Sequence, residues 1–446
     1  MTFKDINNNS MLQRFVKDVE SGKLVISKMP IDEKLMAVEL ERYSRHFLGH
    51  KNLFIVINGT TYKITSELYF GAYQVMFSLF EEEPVVLVRC GVRLIGFVYI
   101  KSLTYFHTAS KEKAEKFATI FVKIFFHLKH NCINKLFSEN PQKRVLIIAD
   151  DRPSHFIRQA IGGVYLLREY LSNFTNKNGQ IFYLEDKCLV NPRVAFGESV
   201  KNDISAKYEE DVYLSGVGDS MLIHRIYRSS IESVEWMRYY LNELNLKTEN
   251  SISSTKTKSL CLLVSLEVEK SRWLNQQEQV SLLIKRINLL SIRYKLKLVI
   301  YVDCWTFSDF ATDAEINQSN VVKRADSIVE AIQEHSGCKL HRIYTKRFTD
   351  KVIEIAGIDI AITPHGTAAL IPCKILKKPT ITFGSKAQLK HTEDLDMNCW
   401  FPLSGEFIDE DKGNDGIGFP LHKYCVSSHG ILKQILFVYK KFNVHS

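Results

Sequence analysis

One stretch, residues 358 to 384 with the sequence IDIAITPHGTAALIPCKILKKPTITFG, restricts what this chain can fold into more than any other. Ile358, Ile360, Ala361 and Ile362 form a short apolar run that stops at Thr363-Pro364. Pro364 has no N–H for a central ladder, and His365-Gly366 makes a turn. A helix is expected from Thr367, as N-cap or first-turn residue, to about Leu376. Pro372 fits that helix only in its first turn or at a kink. Lys377-Lys378 suit the C-terminal dipole, Pro379 stops the helix, and Thr380 to Phe383 reads as the next buried strand. A strand, turn, helix and strand of this length form a parallel β-α-β unit. Its turn lies at the carboxyl edge of the sheet, where open α/β sheets bind ligands. Free N–H groups at the helix start, and a glycine that lets an anion approach the backbone, make His365, Gly366 and Thr367 candidates for holding a phosphate-bearing donor. The plain alternative is an ordinary turn with a solvent-facing histidine.

The same alternation occurs twice. Residues 1–140 form an α+β region of a different kind. A polar lead-in precedes a helix around Glu33 to Phe47, and short β patterns follow from Leu53 to Ile100. Asn58-Gly59 is a hairpin signal between the first two of these. Glu112 to Phe137 reads as a long amphipathic helix. Residues 141–250 read as a first Rossmann-like layer. Its strands are Val145 to Asp150, Gln180 to Leu184 and Asp211 to Val217, and its helices run from about Ser154 to Leu171 and Ser220 to Leu244. The polar tract KTENSISSTKTK, residues 247–258, reads as a linker. Residues 251–446 form a second layer, with strands from Ser259 and Lys297, and helices over Arg272 to Tyr294, Asn320 to His335 and Thr349 to Ile355. The chain turns irregular after Phe383 and closes on a helix from Gly430 to Phe442. The fold class is therefore α/β, with two Rossmann-like domains and a small α+β extension.

The totals exclude several classes. A chain of 446 residues, 45% hydrophobic and 24% charged, has the composition of a globular protein of two or three domains. No apolar run is long enough to span a bilayer, and MTFKDINNNSMLQRF has no signal-peptide core. The net charge of +9 suits an anionic substrate or peripheral contact with an anionic membrane. No basic-aromatic module accompanies it, so nucleic acid is not an expected partner. The nine cysteines are odd in number and lack CxxC spacing, which points to reduced thiols and a cytoplasmic location without a zinc site.

Polar residues collect at strand ends. Asp150-Asp151-Arg152-Pro153-Ser154-His155 places carboxylates, a guanidinium and an imidazole on one turn. Asp151 or His155 suits a general base, and Arg152 an acidic group. In the segment from Glu267 to Gln276, Arg272 sits where the helix dipole disfavours a cation unless an anion binds. Asn275 and Gln276 follow at i+3 and i+4 and can share its face. Asp219 and Asp303 also end strands. There is no GxxxxGK[ST], HExxH or GxSxG motif, and the compact DxD at 394–396 lies in an irregular stretch. No metal and no cofactor are expected.

With the RPSHF turn, the LLVSLEVEKSRWLNQQE segment and the late TPHGTAALIPCKILKKPTITFG turn, the chain resembles bacterial capsular and cell-surface polysaccharide glycosyltransferases of the family-61-type, two-Rossmann (GT-B-like) build. The resemblance spans roughly residues 144–384. It implies two domains facing a cleft and transfer of a sugar from a nucleotide sugar to a glycan or lipid-linked acceptor. Arg272, Asn275, Gln276, His365, Gly366 and Thr367 would hold the donor. Asp151 or His155 would act as base, and Arg152, Asp219 and Asp303 would lie on the acceptor side or in the cleft. The alternatives are a non-catalytic glycan-binding or assembly protein on this fold, and a two-Rossmann nucleotide-sugar epimerase.

Overall fold

The computed structural model describes residues 25–28, 33–49, 52–70, 73–81, 83–90, 93–100, 102, 104–108, 143–150, 153–177, 179–196, 203–206, 221–224, 226, 234–244, 259–269, 272–385, 388–390, 395–411 and 423–443. The chain is mixed α/β and separates into two compact units. The first comprises Met1–Asp151, His155–Cys188 and Ala195–Ser233, and the second Arg152–Ser154, Leu189–Val194 and Val234–Ser446.

The first unit is built on one mixed sheet. Its strands are β1 (Val25–Lys28), β2 (Phe54–Ile57), β3 (Thr60–Phe70), β4 (Tyr73–Phe80), β5 (Glu83–Cys90), β6 (Arg93–Tyr99), β7 (Thr104–His107), β8 (Lys143–Ile148), β9 (Gln180–Leu184), β10 (Asp203–Ala206) and β11 (Met221–His224). The order is β1-β7-β6-β5-β4-β3-β11-β8-β9-β10, with β2 paired to β3. Asn58 and Gly59 both have positive φ (49° and 81°), the mirror-image turn that a two-residue hairpin needs. The antiparallel block and the parallel block, expected as separate regions, share this sheet. Strand β2 covers only the first half of β3, and β11 pairs parallel to β3 at Leu222↔Glu67. That pairing joins the parallel block to β3 beyond the stretch that β2 covers, and β10 is the sheet's edge on that side. Residues 221–224, expected inside a helix, are therefore a strand, and among the described residues a helix of this region runs over Trp236–Glu243. Residues 221–224 pair along β8 from Met221↔Lys143 to His224↔Leu146, and that pairing overrides their local helical pattern. The expected helix over 112–137 and strand over 211–217 lie outside the described residues.

The second unit has a six-stranded sheet. Its strands are β12 (Ser259–Ser265), β13 (Lys297–Asp303), β14 (His341–Arg342), β15 (Ile360–Pro364), β16 (Thr380–Phe383) and β17 (Trp400–Pro402). All are parallel, in the order β14-β13-β12-β15-β16-β17. Renumbered within the unit, this is 3-2-1-4-5-6, the order of the doubly wound dinucleotide-binding (Rossmann) sheet. The core follows from periodicity. Val280, Leu283, Ile284 and Ile287 recur at helical spacing on Gln276–Arg293 and pack over Leu262, Val264, Ile360 and Ile362. Removing one such side chain, as in Leu283→Ala, costs about 2–5 kcal/mol. Pro372 is accommodated by a widened turn: after Thr367–Ala369 the chain runs as a π-helix over Leu370–Ile375, and the N–H of Leu376 reaches back to the carbonyl of Ile371 (2.9 Å). The region expected to be irregular carries β17 and a two-stranded antiparallel ladder, β18 (Ile408–Asp411) with β19 (Lys423–Val426). Among the described residues, no helix is long and apolar enough to cross a membrane.

Candidate functional site

The carboxyl edge of the second unit's sheet carries a polar row. In parallel strands, residues in register point to the same face. Asp303 of β13 is in register with Ser265 of β12, and Thr363 of β15 with Thr382 of β16. The β12–β15 register ends at Val264↔Ile362, and Ser265 and Thr363 are the next residue on each strand. One residue earlier the row is Val302, Val264, Ile362 and Ile381, wholly apolar and on the opposite face. Ser265 and Thr363 are buried, 2% and 0% exposed, and neither hydroxyl has a hydrogen-bond partner among the described residues. They stand where β12 and β15 meet, the point at which strand order reverses. Open α/β sheets bind their ligands outside the strand ends at this point.

The Pro364–Thr367 turn rises from the same edge. The His365 backbone N–H donates to the Phe383 carbonyl at 2.7 Å, which fixes the turn against β16. The buried imidazole lies 5.9 Å from the Trp400 ring, and its Nδ1 is 3.4 Å from the Thr382 hydroxyl oxygen, which accepts from Trp400 Nε1 at 2.6 Å. Gly366 is the N-cap, with φ 108° and ψ −138°, a conformation that requires glycine. A Cβ there would meet nothing within 4 Å, so backbone geometry and not crowding selects the residue. Thr367 opens the helix, and its Oγ1 donates to Ser154 Oγ at 3.3 Å, a residue counted with this unit.

Arg272, Asn275 and Gln276 are brought together after β12, and each is engaged within the protein. Arg272 Nε donates to Glu267 Oε1 at 2.6 Å, and its Nη2 reaches the same oxygen. Tyr424 donates to Glu267 Oε2 at 3.0 Å, and burial together with this carboxylate pushes the Tyr424 phenol well up. Gln276 Oε1 accepts from the Glu267 N–H at 2.6 Å. Asn275 Oδ1 accepts from Trp273 Nε1 and from the Val426 N–H, at 2.9 and 3.0 Å. The loop is thereby fastened to β19, and the Arg272 charge is balanced by Glu267. Sequence reasoning missed Glu267 and Tyr424. Glu267 is the first ionisable residue beyond β12, which was its available signal.

Asp303 is held by Lys351, whose ammonium is 2.7 Å from Asp303 Oδ1 and also donates to the Thr306 hydroxyl (3.1 Å) and the Trp305 carbonyl. Lys351 is fully buried, and sequence reasoning missed it. Its place between Phe348, Val352 and Ile355 on the apolar helix face was the signal. Nearby, Asp309 accepts from the Thr349 N–H (2.8 Å) and hydroxyl, and that hydroxyl also meets Tyr240. Burial raises the Asp309 carboxyl above the usual range despite these two bonds. Burial also pushes the thiols of Cys373 and Cys399 up to about 12 and about 11, so neither offers a thiolate nucleophile at neutral pH.

In the first unit, His155 ends the helical turn Pro153–His155. Its Nδ1 lies 2.8 Å from Gln159 Oε1, one turn further on. With the amide oxygen accepting, this contact favours the tautomer that has the proton on Nδ1 and the lone pair on Nε2, the one a base requires. Asp150 fastens its N–H to the Lys187 carbonyl at 2.7 Å. Asp151, Arg152 and Asp219 lie outside the described residues. Among the described residues no group of three His, Cys, Asp or Glu side chains is arranged to hold a metal ion.

No protein-family model matches the chain, and no curated protein matches it. Among solved structures it is similar to the S. aureus MnaA–UDP co-structure, with a TM-score of 0.26 and 10% identity, over 67% of this chain and 68% of that one.

Proposed function

We propose that the carboxyl edge of the second unit binds a nucleotide sugar and that the protein is a glycosyltransferase of two-Rossmann, GT-B-like build, acting in surface polysaccharide synthesis. The observation that carries the reading is the polar row at the strand-order reversal, with the Ser265 and Thr363 hydroxyls buried and unpartnered. Hydroxyls there can donate to phosphate or sugar oxygens. The turn adds the Gly366 and Thr367 backbone N–H groups and a glycine that admits close approach. Arg272, Asn275 and Gln276, which follow β12, are assigned to shape the donor site. Because Glu267 balances Arg272, the donor's negative charge is met chiefly by the turn and the hydroxyls, with no metal required.

His155, or Asp151 preceding it, takes the proton from the acceptor hydroxyl. The new glycosidic bond forms at the anomeric carbon as its bond to the diphosphate breaks, and the nucleotide leaves. Arg152, Asp219 and Asp303 are assigned to the acceptor side or the cleft. The acceptor is a glycan or a lipid-linked glycan, met at the cytoplasmic face of the membrane.

The test is release of free nucleotide from a panel of nucleotide sugars, with and without a mixture of oligosaccharide and lipid-linked acceptors. Release that depends on acceptor, with sugar appearing on it, is the expected result. A donor sugar altered without any acceptor would make the protein an epimerase instead. Donor binding without turnover in either case would leave a glycan-binding or assembly protein.

A further inference from the structure

The outward face of the second unit's helix layer has an unusual composition. On the helix Gln276–Arg293, Leu282, Leu289 and Ile292 are 37%, 62% and 66% exposed. At 100° per residue they share an arc of about 120° with Lys285, Arg286 and Arg293. All three cations are exposed, and Glu278 is the single acid in that arc. The helix Ser428–Asn443 packs beside it in the same core, and the Ser428 N–H donates to Gln279 Oε1 at 2.9 Å. This second helix exposes Leu436 and Phe437 at 50% and 56%, among exposed Lys433, Lys440 and Lys441. The two helices pack against one another, and each exposes apolar side chains among cations.

Each helix has a well-filled inner face. Val280, Leu283, Ile284 and Ile287, and on the second helix Ile431, Ile435 and Val438, supply the core. The exposed Leu282, Leu289, Ile292 and Leu436 are therefore additional to that core, while Phe437 also meets the Phe401 ring edge-on, 6.5 Å between centroids. Exposed Leu, Ile and Phe set among Lys and Arg are the features of an interfacial amphipathic surface, whose apolar tips enter the acyl boundary while the cations meet anionic headgroups. A second copy of this chain would fit poorly, because a two-fold contact would set the cationic face against itself. A nucleic acid would meet the cations but gain nothing from exposed Leu289 and Ile292, which cannot stack on bases.

We infer that this two-helix face is the surface by which the protein sits on a bilayer containing anionic phospholipid. The inference is independent of the nucleotide-sugar reading. Either can fail alone, because none of these residues belongs to the candidate site.

The test is flotation of the full chain with vesicles of phosphatidylcholine alone and of phosphatidylcholine mixed equally with phosphatidylglycerol. The wild type is expected to float with the anionic vesicles and not with the neutral ones, less so as salt is raised. Leu289→Glu/Ile292→Glu and Lys285→Glu/Arg286→Glu should each lower the partition coefficient at least about tenfold. All four side chains are exposed, so the far-UV spectrum and Tm should stay those of the wild type, and so should any nucleotide affinity. Equal partition to both vesicle types, or wild-type partition of both variants, overturns the inference. So does light scattering that shows a dimer dispersed by Leu289→Glu/Ile292→Glu. Retention on RNA, lost in Lys285→Glu/Arg286→Glu while vesicles are ignored, overturns it as well.

Discussion

Ser265 and Thr363 are each the next residue after Val264↔Ile362, the last pair of two adjacent parallel strands, with both hydroxyls sealed from solvent and neither bonded to a described group. A buried polar group without a partner costs about 1–3 kcal/mol. Two such hydroxyls at one strand-order reversal, where open α/β sheets bind ligands, are groups that a ligand reaching between the strand ends can bond.

Thr363→Val should therefore stabilise the ligand-free protein by about 1 kcal/mol, since the shape is kept and an unsatisfied hydroxyl is removed. The same variant should show a smaller stabilisation by nucleotide. Thermal unfolding with and without ligand measures both. A Val variant less stable than the wild type in the absence of ligand would show that the hydroxyl is already bonded.

The Arg272–Glu267 pair should be costly to halve. Arg272→Ala leaves a carboxylate buried and short of its cation, and should destabilise by about 3–5 kcal/mol. Arg272→Ala/Glu267→Gln should recover much of that loss. Denaturant unfolding of the two singles and the double provides the cycle. Additive losses would mean that the pair is not coupled. Activity of Arg272 variants can be assigned to donor binding only once this stability loss has been subtracted.

Asp309 should give the second unit a distinctive pH dependence. Its folded pKa lies above the unfolded one because burial disfavours the anion. Its contribution is thus fully present below the unfolded pKa and is lost as pH rises through the folded value. Asp309→Asn cannot ionise, so relative to the wild type it should look worse in acid than at neutral pH. Unfolding free energies of both proteins at two pH values measure this. A difference that does not change with pH would mean that the carboxyl titrates normally.

For His155, the Gln159 contact predicts a split between two variants. His155→Ala should lower kcat strongly with donor affinity nearly unchanged. Gln159→Leu should lower it less, because the imidazole remains but loses the contact that favours its tautomer. A shifted pH profile of kcat in Gln159→Leu would separate positioning from a merely structural loss. Near-normal turnover in His155→Ala would move the base to Asp151 or elsewhere.

Much of the second unit was legible because its central strands, residues 259–265 and 360–364, are apolar runs buried for most of their length, and 297–303 is apolar in sequence with Ile300 and Val302 buried. Residues 380–383 are wholly buried after Pro379, and the turn at Pro364–Gly366 is written in its residue types. Strand β17, three residues long, and the β18–β19 ladder carry no such signal, since their pairing is set by neighbours distant in the chain. The same applies to the site. His365 and Arg272 could be placed at strand ends, but the partner that fastens Glu267 is Tyr424, 157 residues away. No local pattern encodes a contact of that separation. In the first unit, Met221–His224 was legible as apolar and not as strand, because what decides between helix and strand is the pairing along β8.

The most direct measurement is the unfolding temperature of wild type, His365→Ala and Thr363→Val against a panel of nucleoside diphosphates and nucleotide sugars. At a hundredfold excess over Kd, a ligand that binds only the folded state stabilises by about 2.7 kcal/mol. The account predicts that one nucleotide series raises the wild-type transition by that amount, and that both variants respond distinctly less while remaining folded. A wild type that no nucleotide stabilises, or variants that respond as the wild type does, would contradict it.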